Sequence, residues 1–367
     1  MRLIFGLLLA SFAGSAASAQ IEILDGKTTA SLRGIDAVSP QVAWASGSGG
    51  TVLLTTDGGK NWKHCAVPTG GEKLDFRGVQ GFDASSAIVM SSGKGDLSKL
   101  YKTTDACQTW RLVFTNPDED GFFDSIVARS GRGFVIGDPV DGHFVIFASQ
   151  DGGFESWQSF GHPAHQGFRD VYVDARPLGD ESLFAASNSA MEGDLLSDIE
   201  FVTGGPHGPM FHGNIWRMQG PGNPTELEWT KRLPMAEGSS AGAFSLAGYG
   251  EQTFRHTRRY VVVGGDYKLP DDAIGTSAYS KDGGQHWKTS KSSPKGYRSA
   301  VTYDGISKVF VAVGPGGVDI SKDDGKTWTQ LKPSASDAPD ADKNWNAISL
   351  PFVVGSKGKI GKLNAKF

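Results

Sequence analysis

Cysteine is scarce in this chain: two residues in 367. Neither belongs to a C-x-x-C pair, and the eight histidines contain no H-x-x-x-H pair. The ligand spacing of a zinc site is therefore missing, and neither a metal nor another cofactor is expected. A dinucleotide-binding glycine fingerprint, a G-x-S-x-G nucleophile elbow and a thiol-nucleophile constellation are missing as well. Beyond residue 20 no apolar run is long enough to span a bilayer, so no transmembrane segment is expected. An excess of basic charge is also absent. The formal net charge is −4, which gives no whole-chain attraction to nucleic acid or an anionic membrane.

Glycine, by contrast, is abundant: 50 residues, a fraction roughly twice the usual 7 per cent. No Gly-X-Y period exists, so collagen is excluded. With 38% hydrophobic and 10% aromatic residues, wholesale disorder is excluded too. Many tight turns between short strands remain, which points to an all-β fold.

The chain opens with Met1-Arg2, an apolar stretch from Leu3 to Ala10, and small residues ending Ala17-Ser18-Ala19. This is the pattern of a secretory signal peptide, with cleavage expected after Ala19. Residues 1–19 are thus expected to be a signal peptide and residues 20–367 one domain, exported to a periplasmic or extracellular location. In such an oxidising compartment Cys65 and Cys107 are permitted to pair. A disulfide joining neighbouring units and two free thiols are both compatible with the sequence.

The main signal is internal repetition. The pattern Ser/Thr-x-Asp-x-Gly-x-x-Trp runs from Thr55 through Asp57 to Trp62, and again from Thr103 through Asp105 to Trp110, with Cys107 in the glycine slot. A third copy holds Asp151 and Trp157 with one extra residue. Two more hold Asp282 with Trp287 and Asp323 with Trp328, and a degenerate copy keeps only Trp229. Asp accepts hydrogen bonds from turn amides and Gly supplies positive φ, so each copy reads as a turn between two strands. The Trp would bury its ring against the neighbouring unit. A second feature opens each unit: an apolar, a polar, a small, and then a β-forming residue or Ala. It occurs at Leu32-Arg33-Gly34-Ile35, Phe76-Arg77-Gly78-Val79, Phe123-Asp124-Ser125-Ile126, Tyr297-Arg298-Ser299-Ala300 and Trp345-Asn346-Ala347-Ile348, and more weakly at Ala243-Phe244-Ser245-Leu246. The fourth unit is longer, and its start is either Phe168 or Phe184, with Phe184 preferred. Seven starts, spaced about 44–53 residues apart in the compact units and more widely around the fourth start, match seven four-stranded propeller blades. The last unit holds only three strands. Ile21-Glu22-Ile23-Leu24 supplies the fourth, so the N-terminal strand is expected to close the ring.

These boxes resemble the Asp-box (BNR) repeats of sialidases, xyloglucanases and sortilin-type receptors. The layout from Arg33-Gly34-Ile35 to the first Trp looks most like the photosystem II assembly-factor family of seven-bladed propellers and its bacterial relatives. The resemblance spans nearly all of residues 20–367. It implies that the boxes lie on the turn before each outermost strand, and that ligand sites occupy the opposite face. Asp57, Asp105, Asp151, Asp282 and Asp323 are accordingly read as structural. The same placement puts Cys65 and Cys107 in adjacent blades on one face, where a bond is geometrically feasible.

The unit starts then surround a channel mouth. Arg33, Arg77 and Arg298 converge there with Asn346 and Tyr297, and with Arg169 nearby. Arg offers bidentate recognition of carboxylate or phosphate, or it pairs with an Asp of the next blade. Asp124, Asp138, Asp141 and Asp266, with Tyr267, lie on loops of the same face. They are turn formers, partners of the arginines, or the acid and base of a glycosidase. Ser187-Asn188-Ser189 and Glu192 are expected on this rim. Two functions follow. The first is a monomeric, non-enzymatic scaffold that captures a protein partner or acidic peptide. The second is a glycoside hydrolase or lyase of the sialidase-like superfamily acting on an acidic glycan. Binding is placed first. A true sialidase carries Arg-Ile-Pro near its first blade, where this chain has Arg33-Gly34-Ile35.

Overall fold

A computed structural model of the protein describes residues 20–159, 176–193, 199–213, 229–250 and 257–364. The strands form seven antiparallel sheets arranged as the blades of a propeller. The first blade is Leu32–Ala37, Ala43–Gly47, Val52–Thr55 and Lys63–His64, from the centre outward. Its innermost strand packs against that of the second blade (Phe76–Gly81) and that of the seventh (Trp345–Ser349), which closes a ring. In the seventh blade the chain's first strand, Ile21–Asp25, lies antiparallel to Lys359–Leu363, with Ile21 opposite Leu363. The first and last described strands are thereby paired, and among the described residues the closed ring leaves no long free sheet edge.

Middle strands are buried on both faces and therefore read as continuous apolar runs, such as Ala87–Ser91 and Val309–Gly314. The core lies between blades. Trp62 of the first blade meets Phe352 of the seventh edge-on at 5.7 Å. Trp157 packs with Ile88 and Met90 of the second blade, and Trp328 with Val261 and Val263 of the fifth.

Four of the aspartate turns are built alike, and the third, with its extra residue, sends the amides of Gly153, Glu155 and Ser156 to Asp151. In the sixth blade Ser321 Oγ donates to Asp323 Oδ1 and accepts from Gly325 N, while Asp323 Oδ1 also accepts from Thr327 N at 2.9 Å. These bonds hold the turn carboxylates below their ordinary range, Asp105 at about 2. Four of the turns bond back to the first turn of their own blade: Gly58 N to Gln41 O, Ala106 N to Ser85 O, Gly152 N to Gly131 O and Gly283 N to Arg258 O. They therefore lie at the end of each blade opposite the unit starts. Cys65 and Cys107 form a disulfide between the first two blades. Cys107 takes φ 58° in the slot where the first and fifth blades use Gly59 and Gly284.

The fourth blade departs from the expected pattern. Its innermost strand is Met191–Gly193, later than either proposed start. Phe168 lies outside the described residues. Phe184 opens no strand, because its ring stacks on Phe244 of the fifth blade at 4.0 Å. Beyond this blade's second strand, Gly204–Gly205 adds a two-residue strand to the fifth blade. Among the described residues no helix is long and apolar enough to cross a membrane.

Candidate functional site

In five blades the pairing of the first two strands slips at the second residue of the unit start: Arg33, Arg77, Asp124, Phe244 and Asn346. A bulge bends the strand and re-aims the side chain. The polar positions of the repeat are thus displaced from the regular sheet at the channel mouth.

Arg33 and Arg77 are brought together there. Arg77 Nε donates to Asp75 Oδ2 at 2.8 Å, and Arg33 Nε lies 3.8 Å from the same oxygen. One carboxylate therefore serves two guanidinium groups, each about a third exposed or less. Arg77 also donates to the carbonyl of Ala185 and stands over the Phe122 ring. Burial, then repulsion from Arg77, lowers the Arg33 pKa, with Asp75 opposing. Arg33 Nε and Asp75 Oδ1 are buried without a hydrogen-bond partner. The cluster carries positive charge that its own carboxylate does not balance.

Behind it sit Asp124 and Asp138. Asp124 is 2% exposed. Burial pushes it well above the ordinary carboxylate range, Asp138 adds to the rise, and Arg77 opposes it. Burial likewise raises Asp138 to about 6, although its Oδ1 accepts from Leu183 N at 2.9 Å.

An aromatic shelf borders the arginines. Phe244 stacks on Phe184 and meets Tyr297 edge-on at 4.7 Å. Tyr267 stands edge-on to both phenylalanines and is 46% exposed. It begins a loop whose Leu269 and Ile274 are also exposed. Tyr297 is buried, which raises its pKa.

The other predicted residues are elsewhere engaged. Arg298 is fully buried. Its Nε donates to Asp319 at 2.7 Å, and its other nitrogens reach Asp319 and the carbonyls of Tyr297 and Lys295. It ties strands of the sixth blade and has no surface to offer a ligand. Asn346 Nδ2 donates to Leu32 O and ties the seventh blade to the first. Asp141 sits at positive φ in the exposed corner of a hairpin, and Asp266 accepts from Lys268 N two residues on. Both serve their own turns. Arg169 lies outside the described residues.

Ser187-Asn188-Ser189 does not join the rim. It crosses the channel and stops it. Asn188 Oδ1 accepts from Ile126 N and its Nδ2 donates to Ile126 O, Ser187 Oγ reaches the Ser299 carbonyl, and Ser189 Oγ meets Ser245 Oγ. A Cβ on Gly78 would stand 2.8 Å from Asn188 Oδ1, so the small residues of the repeat make room for this plug. Glu192 lies beyond it, lining the channel on the other side.

Sequence reasoning missed Asp75, Phe122 and Phe184. Asp75 and Phe122 each directly precede a unit start, and the need of two converging arginines for a partner would have pointed to Asp75.

Neither a protein-family model nor a curated protein matches the chain. Solved structures match in fold. YCF48 bound to D1 peptide has a TM-score of 0.60 at 15% identity, covering 96% of this chain and 99% of that one. YCF48 from Cyanidioschyzon merolae has a TM-score of 0.60 at 17% identity, covering 94% and 99%. The WD40 β-propeller domain of Doa1 follows with a TM-score of 0.57 at 12% identity, covering 94% and 96%. At these identities the likeness is one of fold.

Proposed function

We propose that residues 20–367 form a single exported domain, a non-catalytic propeller that captures an acidic segment of a partner protein at the Arg33–Arg77 mouth. The observation that carries this reading is the shared carboxylate: Asp75 holds both guanidiniums in place at the mouth, where the Arg33 side chain stays 33% and the Arg77 side chain 27% exposed. A ligand carboxylate would complete the set with charge-assisted bonds. The shelf beside it, where exposed Tyr267 and half-buried Phe184 rest on buried Phe244, suits an apolar side chain of the same segment, since aromatics are typical binding anchors. One neighbour of similar fold carries a bound peptide, which agrees with this reading. The glycosidase reading is not favoured, because Asp141 sits in an exposed hairpin corner, Asp266 caps its own turn and Asp124 is sealed.

The test is a panel of peptides with acidic, amidated and basic ends, measured by calorimetry against the wild type and Arg33→Ala, Arg77→Ala and Arg33→Ala/Arg77→Ala. Loss of roughly 1.5–3 kcal/mol per arginine is expected for acidic peptides alone. Equal binding of amidated and acidic peptides, or turnover of an acidic glycan, would overturn the proposal.

A further inference from the structure

The two arginines of the mouth are not equivalent. Arg77 is engaged on three sides: its Nε by Asp75, its Nη1 by the Ala185 carbonyl at 3.3 Å, and its face by the Phe122 ring. Arg33 makes no hydrogen bond among the described residues. Its one ion-pair partner there is Asp75 at 3.8 Å, which is beyond hydrogen-bond distance. Arg33 Nε is sealed, whereas its two terminal nitrogens are neither sealed nor bonded.

Tyr297 stands close to this open end. It is 7% exposed, and Phe244 holds its ring edge-on at 4.7 Å. Its hydroxyl makes no hydrogen bond among the described residues and is not sealed. The titratable groups that act on Arg33 are Arg77, Asp75 and Tyr297, and those that act on Tyr297 are Arg33 and Tyr267. A guanidinium end and a phenol are thus within electrostatic reach of each other, and Asp75 is the one acid among the described residues that acts on either. Asp124, the next acid, acts on Arg77.

This donor set fits a carboxylate. The end of a guanidinium presents two parallel N–H groups that match two carboxylate oxygens, and the phenol hydroxyl adds a third donor. A phosphoryl group would bring a third oxygen and a second negative charge beside Asp75, with Arg77 already committed.

We propose that the acidic group read at the mouth is a carboxylate, held end-on by Arg33 and by the Tyr297 hydroxyl, while Arg77 acts as a positioning residue that occupies Asp75. This rests on the peptide-capture reading above and assigns the ligand group and its contacts.

The experiment titrates four forms of one peptide into the full-length protein by calorimetry. Three have blocked ends and carry Glu, Gln or phosphoserine at one site, and the fourth carries Gln and a free C-terminal carboxylate. Of the blocked three, the Glu form should bind best. Tighter binding of the fourth form would assign the carboxylate to a chain end, and weaker binding to a side chain. Tyr297→Phe keeps the ring on Phe244, and Arg33→Lys keeps the charge but not the planar fork. Each should weaken the carboxylate peptides roughly tenfold and leave the blocked Gln form unchanged. Arg77→Lys can still pair with Asp75 and should retain the affinity. If Arg33→Lys fails to fold, Tyr297→Phe decides. Tighter binding of phosphoserine than of Glu, indifference to Tyr297→Phe, or equal losses from the two lysine variants would overturn this proposal and leave peptide capture standing. Equal binding of all four forms would overturn both.

Discussion

Arg298 Nε donates to Asp319 Oδ2 over 2.7 Å with both side chains sealed from solvent. A buried pair of this kind is costly to break from one side, because the partner charge is then stranded. Arg298→Ala should lower the unfolding free energy by about 3–5 kcal/mol. Arg298→Met/Asp319→Leu should lose much less. Urea unfolding measures both. A loss under 1 kcal/mol, taken here as about the net worth of one ordinary hydrogen bond, would contradict the structural role.

The contrast between Arg298 and Arg77 marks the limit of what the sequence reveals. Both occupy the same position of the repeat, two residues before a β-former or Ala. One meets Asp319 on the third strand of its own blade, and the other meets Asp75 on the preceding loop. The repeat specifies blades, closure and turn chemistry because those depend on local spacing and on period. It cannot specify which acid a long flexible side chain reaches, since that depends on loop conformation. The fourth blade shows the same limit. Asn188 stops the channel at φ 59°, outside any copy of the repeat, and no periodic signal announces it.

Asp138 makes the mouth sensitive to pH. Its folded pKa of about 6 exceeds the ordinary value of 3.8. Between those values the folded state binds more protons, so this group's contribution to stability is fully present below about pH 4 and is lost as pH rises through 6. Asp138→Asn retains an acceptor for Leu183 N and removes the titration. The stability of the wild type relative to this variant should therefore fall by about 2–3 kcal/mol between pH 4 and pH 8. A flat difference across this range would refute the assignment.

The disulfide closes a loop with a sequence separation of 42. Chain-entropy arguments give about 3–4 kcal/mol for such a loop. Cys65→Ser/Cys107→Ser should show that loss in urea unfolding under non-reducing conditions. Cys107 also holds a left-handed backbone in a glycine slot. Cys65→Ser/Cys107→Gly should thus recover about 1 kcal/mol of it. No recovery would mean that the turn tolerates a side chain there without strain.

The aspartate turns should matter for stability and not for binding. Asp323 accepts from Thr327 N, Thr327 Oγ1 and Ser321 Oγ. Asp323→Ala should cost about 1–2 kcal/mol, with peptide affinity at the mouth unchanged. Its pKa is lowered in the fold, so this contribution is present above the ordinary carboxylate range and is lost as pH falls through the folded value. A change in affinity at constant stability would reassign the turn to the binding surface.

Asn188 separates the mouth from the rest of the channel through two bonds to Ile126. Asn188→Gly keeps the left-handed backbone that glycine adopts freely and deletes both bonds, leaving the Ile126 amide without its partner. The expected loss of stability is about 2–3 kcal/mol. Exchange at the Ile126 amide should accelerate far more than exchange at Val135, its neighbour in the sheet ladder. If both amides accelerate equally, the variant has loosened the whole third blade, and the plug is not a local barrier.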